Sequence, residues 1–108
     1  MKCAEIWTVS ARGGYAGKPR PAVIVQDDHF SLLPSVTICV FTTDETDAPL
    51  FRILVEPDGE NGLERPSRLM ADKITTVPRD KLGRRIGRLA RRDMTRLERA
   101  LAVFLGMA

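Results

Sequence analysis

Three features of the sequence predict a small, mainly β (α+β) fold. This fold is a curled antiparallel sheet or barrel that carries one C-terminal amphipathic helix. Short apolar or alternating runs recur up to residue 89, turn residues separate them, and the apolar residues follow a helical period only after residue 90. Such runs are typical of strands, and one amphipathic helix after several strands favours packing of that helix on a single sheet. No linker or internal repeat interrupts the 108 residues, so we expect one domain over residues 1–108.

Six runs are predicted to form strands. The first and fourth alternate polar and apolar residues, as half-buried strands do, and the second and third are β-branched and too short for helices. The fifth is long enough to bend or to make two pairings before Pro78 ends it, and the sixth is one more short strand. In chain order they are EIWTV (5–9), PAVIVQ (21–26), VTICVFTT (36–43), FRILVE (51–56), SRLMADKITTV (67–77) and RRIGRL (84–89).

The final segment, RRDMTRLERALAVFLGMA, predicts an amphipathic helix with an apolar stripe and a basic side. Gly106 is expected to end this helix, and Ala90 is a poor residue to cap its start. The stripe consists of Met94, Leu97, Leu101, Phe104 and Leu105. The basic side consists of Arg92, Arg96 and Arg99.

The net charge of +3 hides a segregation along the chain. Residues 1–40 carry four basic and three acidic groups, residues 41–64 carry one and seven, and residues 65–108 carry twelve and four. A basic block of this kind attracts polyanions such as nucleic acid, because Lys and Arg contacts to phosphate supply sequence-independent affinity. A solvated helix face that meets an acidic protein partner explains the same charge, so both interpretations stay open.

Several classes of protein are disfavoured. No run reaches the roughly 18 apolar residues of a membrane span, and Glu5 stands where a secretion signal would be apolar, so we expect a cytoplasmic protein without a membrane contact. Cys3 and Cys39 are too few and too far apart for a disulfide scaffold or a zinc site. The glycine-rich loop joins two strands and opens no helix, which disfavours dinucleotide binding.

Conventional catalytic groups are scarce. The only histidine, His29, lies in a predicted turn, where a solvated side chain is the more common interpretation. Asp44, Glu45 and Asp47 form an acidic loop that resembles a divalent-cation site, but nothing nearby completes a coordination shell. We therefore expect neither a metal nor a cofactor.

Several motifs in a fixed order resemble the MazF/PemK family of toxin endoribonucleases. They are the EIW strand, GKPRPAVIVQDD, a third strand ending in Thr, SRLMADKITTV, IGRL and the terminal amphipathic helix, which together span nearly the whole chain. The resemblance implies an SH3-like barrel acting as a homodimer that cleaves single-stranded RNA at specific sequences without a metal. It also implies a cognate antitoxin that blocks the RNA groove. The RNA is expected to be mRNA, with rRNA and tRNA as alternatives.

By the same resemblance, the catalytic arginine of the RP motif is Arg20 and the catalytic threonine that closes the third strand is Thr42. Thr43 takes that place if the register is displaced by one residue. Attack by the RNA's own 2′-OH, which leaves a 2′,3′-cyclic phosphate, needs no protein nucleophile. A guanidinium can hold two phosphate oxygens at once, which suits Arg20 to stabilising the charge of the transition state and to protonating the leaving 5′-oxygen. The general base remains unassigned.

Substrate-binding roles are expected for five further residues. In the loop, Lys18 is a candidate for a phosphate contact, and Tyr15 either stacks on a base or is a simple exposed aromatic. Lys73, where relatives often carry Gln, and Arg68 are candidates for RNA contacts, with a surface ion pair as the alternative for Arg68. Asp72 either orients a basic side chain or ends a buried strand.

The start of the chain departs from the family pattern. Relatives often begin RGEIW or RGDIW, whereas this chain has Cys3 and Ala4 in place of Arg and Gly.

Two competing functions are a non-catalytic SH3-like module that binds RNA or protein, and a CcdB-like gyrase inhibitor. The GKPRP motif together with a strand-ending Thr favours RNA cleavage over gyrase inhibition.

Overall fold

The computed structural model describes residues 1–10 and 18–108, and its strands lie close to the predicted runs. The boundaries differ from the predicted runs by one or two residues at most ends, and the predicted fold class is confirmed. The paired strands are all antiparallel. In chain order the elements are β1 (Glu5–Val9), β2 (Arg20–Ile24), β3 (Ser35–Thr42), β4 (Arg52–Val55), β5 (Ser67–Met70), β6 (Thr75–Pro78), β7 (Leu82–Arg88) and helix α1 (Arg91–Phe104).

The long strand β3 organises the sheet. One of its edges pairs with β2, and its other edge pairs first with β6 and then with β5. A short 3-10 turn at Ala71–Lys73 separates β5 from β6, so of the two alternatives predicted for residues 67–77, a bend or two pairings, the structure shows two pairings. The order of the sheet is β4-β5-β3-β2-β1-β7, with β6 beside β3.

The sheet curls because β6 runs through the turn Arg79–Lys81 directly into β7, which pairs with β1 at the far side. Within the described ranges no ladder joins β6 to β7, so the barrel is an open, curled sheet. Alternation along the strands then makes two cores. Inside the curl pack Val9, Ala22, Ile24, Val36 and Ile38. On the outer face, which we call the helix-covered side, Val23, Cys39, Leu69, Met94 and Leu97 are among the buried residues.

Helix α1 starts and stops as the sequence predicts. Ala90 caps it without a side-chain hydrogen bond, and Gly106 follows it with a φ of 72°. The apolar stripe, however, is buried only in part: Leu97 is fully buried, whereas Phe104 and Leu105 are 49% and 52% exposed. The last turn of the helix extends beyond the buried residues of the helix-covered side. There the ring of Phe104 contacts the ring of Phe51, with 6.3 Å between centroids.

Candidate active site

Strand register brings Arg20, Thr42 and Arg68 into one row across three neighbouring strands. In the ladder between β2 and β3, Ala22 is opposite Val40, and the same register two residues further on places Arg20 level with Thr42. Thr42 is in turn directly opposite Arg68 of β5. Residues that face one another across antiparallel strands project from the same side of the sheet, with Cβ atoms about 5 Å apart.

The alternation of side chains separates Thr42 from Thr43. Thr42 ends β3 with its side chain half-buried, and its Oγ1 accepts a hydrogen bond from the backbone N–H of Asp44 at 3.1 Å. That bond leaves the hydroxyl proton available for donation to a ligand. Thr43 is exposed and lines a separate cavity of about 290 Å³ together with Pro21, the residue after Arg20. Of the two threonines, Thr42 is therefore the one placed in the row of Arg20.

Arg20 also borders a cavity of about 590 Å³ at the open end of the curl. The cavity walls include Val9, Ile38, Val40 and Val77, and Thr75 and Lys81 lie beside them. We call this opening, bordered by Arg20, Thr75 and Lys81, the barrel mouth. Sequence reasoning did not identify Thr75 or Lys81, because no local pattern shows that β6 pairs with β3 or that the segment after Pro78 folds back beside β1.

Asp72 is engaged by a neighbouring arginine. Arg52 donates from Nε to Oδ1 at 3.0 Å and from Nη2 to Oδ2 at 3.3 Å, a bidentate pair that is largely shielded from solvent. The hydrogen bond from Arg52 is the largest cause that lowers the pKa of Asp72 below its ordinary value. Lys73 Nζ lies 3.8 Å from the same carboxylate, but its side chain is 57% exposed. Asp72 thus holds Arg52, and Lys73 extends into solvent.

The remaining candidates contribute differently. Lys18 is exposed next to the start of β2, whereas Tyr15 lies outside the described residues. Arg68 Nη1 donates a hydrogen bond to the backbone oxygen of Asp44 at 3.4 Å, so its guanidinium contacts the acidic loop that follows Thr42. His29 lies beyond the other end of β2 from Arg20, and its Nδ1 is 2.5 Å from Asp27 Oδ1 in an exposed turn.

Neither metal ligation nor a cysteine nucleophile is indicated. Across residues 1–10 and 18–108 no three His, Cys, Asp or Glu side chains form a group that could hold a metal ion. Asp44 instead accepts hydrogen bonds from the backbone and side chain of Thr46. Burial raises the pKa of the Cys39 thiol to about 12, which suppresses its reactive thiolate form.

Comparison with known proteins gives the family. Residues 2–105 match the model of the PemK-like, MazF-like toxins of type II toxin-antitoxin systems. The chain belongs to this toxin family. A probable endoribonuclease MazF of Mycolicibacterium smegmatis is 56% identical to it over 108 residues, covering 100% of this chain and 99% of the relative.

Solved structures of MazF-like toxins share the fold. The Mycobacterium tuberculosis toxin MazF-mt6 superimposes with a TM-score of 0.81 at 27% identity, over 96% of this chain and 98% of that chain. A mycobacterial endoribonuclease in complex with its cognate antitoxin also gives a TM-score of 0.81, at 21% identity, over 100% of this chain and 97% of that chain. In the described part of the chain no helix is long and apolar enough to cross a membrane.

The departure from the family's usual start has a structural cost. Ala4 is buried and has a φ of 74°, and it is the only non-glycine residue with a positive φ in the described ranges. This left-handed conformation suits glycine and strains a residue with a Cβ. Position 4, where the resemblance to the MazF/PemK toxins implies glycine, therefore has a backbone conformation typical of glycine although its residue is alanine.

Proposed function

We propose that this chain is a sequence-specific endoribonuclease toxin that cleaves single-stranded RNA without a metal ion and is neutralised by a cognate antitoxin in the cytoplasm. The observation that carries the proposal is the row of Arg20, Thr42 and Arg68 beside the barrel mouth. Membership of the MazF-like toxins and 56% identity to a probable endoribonuclease support the same activity.

The chemistry assigned to the row is transfer of the phosphodiester to the RNA's own 2′-oxygen. The bond from the 2′-oxygen to phosphorus forms, the bond from phosphorus to the 5′-oxygen breaks, and the products are a 2′,3′-cyclic phosphate and a 5′-hydroxyl. Arg20 holds two phosphate oxygens through its planar fork and stabilises the charge that builds on them. Thr42 donates a hydrogen bond from its hydroxyl to a phosphate oxygen. Arg20 is the candidate proton donor to the leaving 5′-oxygen. The 2′-OH releases its proton to solvent and Arg20 regains one from solvent, so the protons balance over the reaction.

Residues around the row bind the RNA strand. Lys18 and Lys73 expose ammonium groups suited to phosphate contacts, and Arg68 lies next to Thr42 on the adjacent strand. Asp72 acts at one remove: its pair with Arg52 holds the carboxylate in place, and the carboxylate attracts Lys73. Stacking of a base on Tyr15 and a contact from Thr43 are the further predictions for this surface.

A homodimer and an acidic antitoxin segment are the proposed partners. The end of α1 exposes an apolar surface that a second copy of the chain would bury. An acidic segment of the antitoxin fits the basic last third of the chain and would occupy the groove beside Arg20. The apolar surface consists of Leu50, Val103, Phe104, Leu105 and Met107.

The test is cleavage of a long RNA by the purified protein in excess EDTA. We expect defined fragments with 2′,3′-cyclic phosphate ends, and a loss of about 100-fold or more in rate for Arg20→Ala, since one charge-stabilising donor is worth about 10²–10³ in rate. Lys2→Ala, which removes an exposed cation outside the row, serves as the control and should cleave like the parent protein.

Three outcomes would contradict the proposal. Intact RNA accompanied by tight RNA binding would indicate a non-catalytic module. Intact RNA together with gyrase-dependent DNA damage in cells would indicate a CcdB-like gyrase inhibitor. Cleavage that Arg20→Ala leaves unchanged would remove Arg20 from the site.

A further inference from the structure

We propose that the cavity of the barrel mouth is a subsite for one nucleobase of the substrate, adjacent to the cleaved phosphate, and that it selects uracil or guanine through Lys81 and Thr75. This proposal rests on the RNA cleavage proposed above and adds a position and a chemistry of sequence recognition to it.

The walls of the cavity suit a planar, largely apolar ring. Val9, Ile38, Val40 and Val77 present aliphatic side chains, and the volume of about 590 Å³ lies in the range of about 300–1,000 Å³ typical of ligand pockets. Pairing of β3 with β6 places Val77 opposite Val36 and Thr75 opposite Ile38, so these side chains face the inside of the curl. The cavity is therefore the solvent-facing end of the inner core, where an inserted base replaces water against apolar surface.

Arg20 couples this cavity to the reaction. It is the first residue of β2 and lines the cavity, while the register places it level with Thr42. If Arg20 holds the cleaved phosphate, a base of an adjoining nucleotide lies within reach of the barrel mouth. Readers of single-stranded RNA commonly splay bases away from the strand into such sites.

The polar groups at the cavity determine which base it accepts. The ammonium of Lys81 has three donors and no acceptor, and the hydroxyl of Thr75 both donates and accepts. Uracil and guanine present ring carbonyl oxygens to such donors, whereas adenine and cytosine present amino groups at the corresponding positions. The main chain of Lys81 is held in place, because its carbonyl accepts a hydrogen bond from Ser10 N–H at 2.9 Å and Leu82 pairs with Val9.

The chain offers matched controls for both side chains. Thr95, on α1, donates a hydrogen bond from Oγ1 to the backbone oxygen of Arg91 at 3.1 Å, and neither residue lines the cavity. Arg79 is an exposed cation two residues before Lys81, and it lies outside the cavity lining. Thr95→Val therefore repeats the chemical change of Thr75→Val outside the cavity, and Arg79→Ala removes an exposed cation outside the cavity as Lys81→Ala removes one at its border.

The first experiment maps cleavage ends in a randomised RNA pool and measures kcat/KM on substrates that differ at one base beside the cut. We expect the parent protein to prefer U or G at one such position, and Lys81→Ala and Thr75→Val to reduce that preference about 10-fold, because each removes a hydrogen-bonding group that discriminates between bases. The two control variants should keep the parental preference. An equal loss on all substrates in Lys81→Ala would indicate a phosphate contact and overturn the proposal, as would an unchanged preference.

A second experiment does not depend on cleavage. The dinucleotides UpU, GpG, ApA and CpC, each with a 2′-O-methyl group that blocks attack, are titrated into the protein while backbone amide resonances are followed by NMR. We expect UpU or GpG to shift the amides of Thr75, Val77 and Lys81 at lower concentration than ApA and CpC. Absence of these shifts would refute the subsite even if the protein cleaves RNA. Shifts without cleavage in the EDTA assay would instead refute the proposed activity and leave the base subsite standing.

Discussion

Two arginines at different places on the sheet have different roles. On β4, Arg52 is held by Asp72 in a bidentate pair that is largely shielded from solvent. Its guanidinium lies 5.8 Å from the ring centroid of Phe51. At the barrel mouth, Arg20 is exposed and lines a cavity of about 590 Å³. One arginine thus stabilises the fold, whereas the other lines a cavity of ligand size.

This difference shows how to separate structural from functional charge in a basic chain. Arg96 follows the pattern of Arg52, because its Nη1 donates to Asp93 Oδ1 and to the backbone oxygen of Leu54, both at 2.9 Å. Such pairs satisfy buried or half-buried acceptors and link α1 to β4. Net charge alone does not distinguish these arginines, whereas the contacts of Arg52 and Arg96 assign both to the stability of the fold.

The largest effect expected on the helix-covered side is a loss of packing. Leu97→Ala should lower the free energy of unfolding by about 3 kcal/mol, because Leu97 is fully buried and its truncation leaves a cavity. Leu105→Ala, at a position 52% exposed, should cost less than about 1 kcal/mol. Urea denaturation measures both. If the folded fraction of Leu97→Ala loses its RNA cleavage as well, the helix-covered side and the barrel mouth do not have separate roles.

The next largest effect should appear in activity at the barrel mouth. Arg20→Lys keeps the charge but loses the bidentate fork, so we expect kcat/KM for RNA to fall about 100-fold with little change in stability. Arg52→Lys should show the reverse: activity within about 3-fold of the parent protein and a loss of about 1 kcal/mol in stability. Equal effects of the two substitutions on cleavage would contradict the comparison.

A smaller effect concerns the acid sensitivity of the Arg52–Asp72 pair. The pKa of Asp72 is lowered from its ordinary value of 3.8, so its ionised form contributes stability at neutral pH that is lost as the pH falls below that value. Asp72→Asn should be less stable than the parent protein by about 1–2 kcal/mol at pH 7. Thermal unfolding across pH should show this difference holding down to about pH 5 and shrinking below about pH 4. A difference that does not change with pH would exclude the charge as its cause.

The smallest effect separates two buried alanines. Ala4 has a φ of 74°, whereas Ala22 lies in β2 and is buried at 1% exposure. Ala4→Gly should leave stability unchanged or raise it by up to about 1 kcal/mol, since glycine relieves the strain. Ala22→Gly should cost about 1 kcal/mol, because glycine in a strand adds flexibility to the unfolded chain and loses a buried methyl group. Destabilisation of both variants by the same amount would show that Ala4 carries no strain.

Local patterns were sufficient to predict the elements of this fold. The alternation in EIWTV, the apolar run after Pro21 and the helical spacing from Met94 onward depend on a few neighbouring residues, and they match β1, β2 and α1. Exposure of Phe104 and Leu105 could not be predicted in this way, because it depends on where the sheet beneath the helix ends.

The sequence by itself determined the strand and helix pattern, the stop at Gly106, the basic last third and the motifs of the MazF-like toxins. Only the tertiary structure decided that Arg20 is level with Thr42, that Thr43 lines a different cavity, that Arg52 captures Asp72 and that Lys81 borders the barrel mouth. The physical reason is that periodicity is a local property of the backbone, whereas a site arises from register and curl. Both of these are determined by contacts between segments that are far apart in the chain.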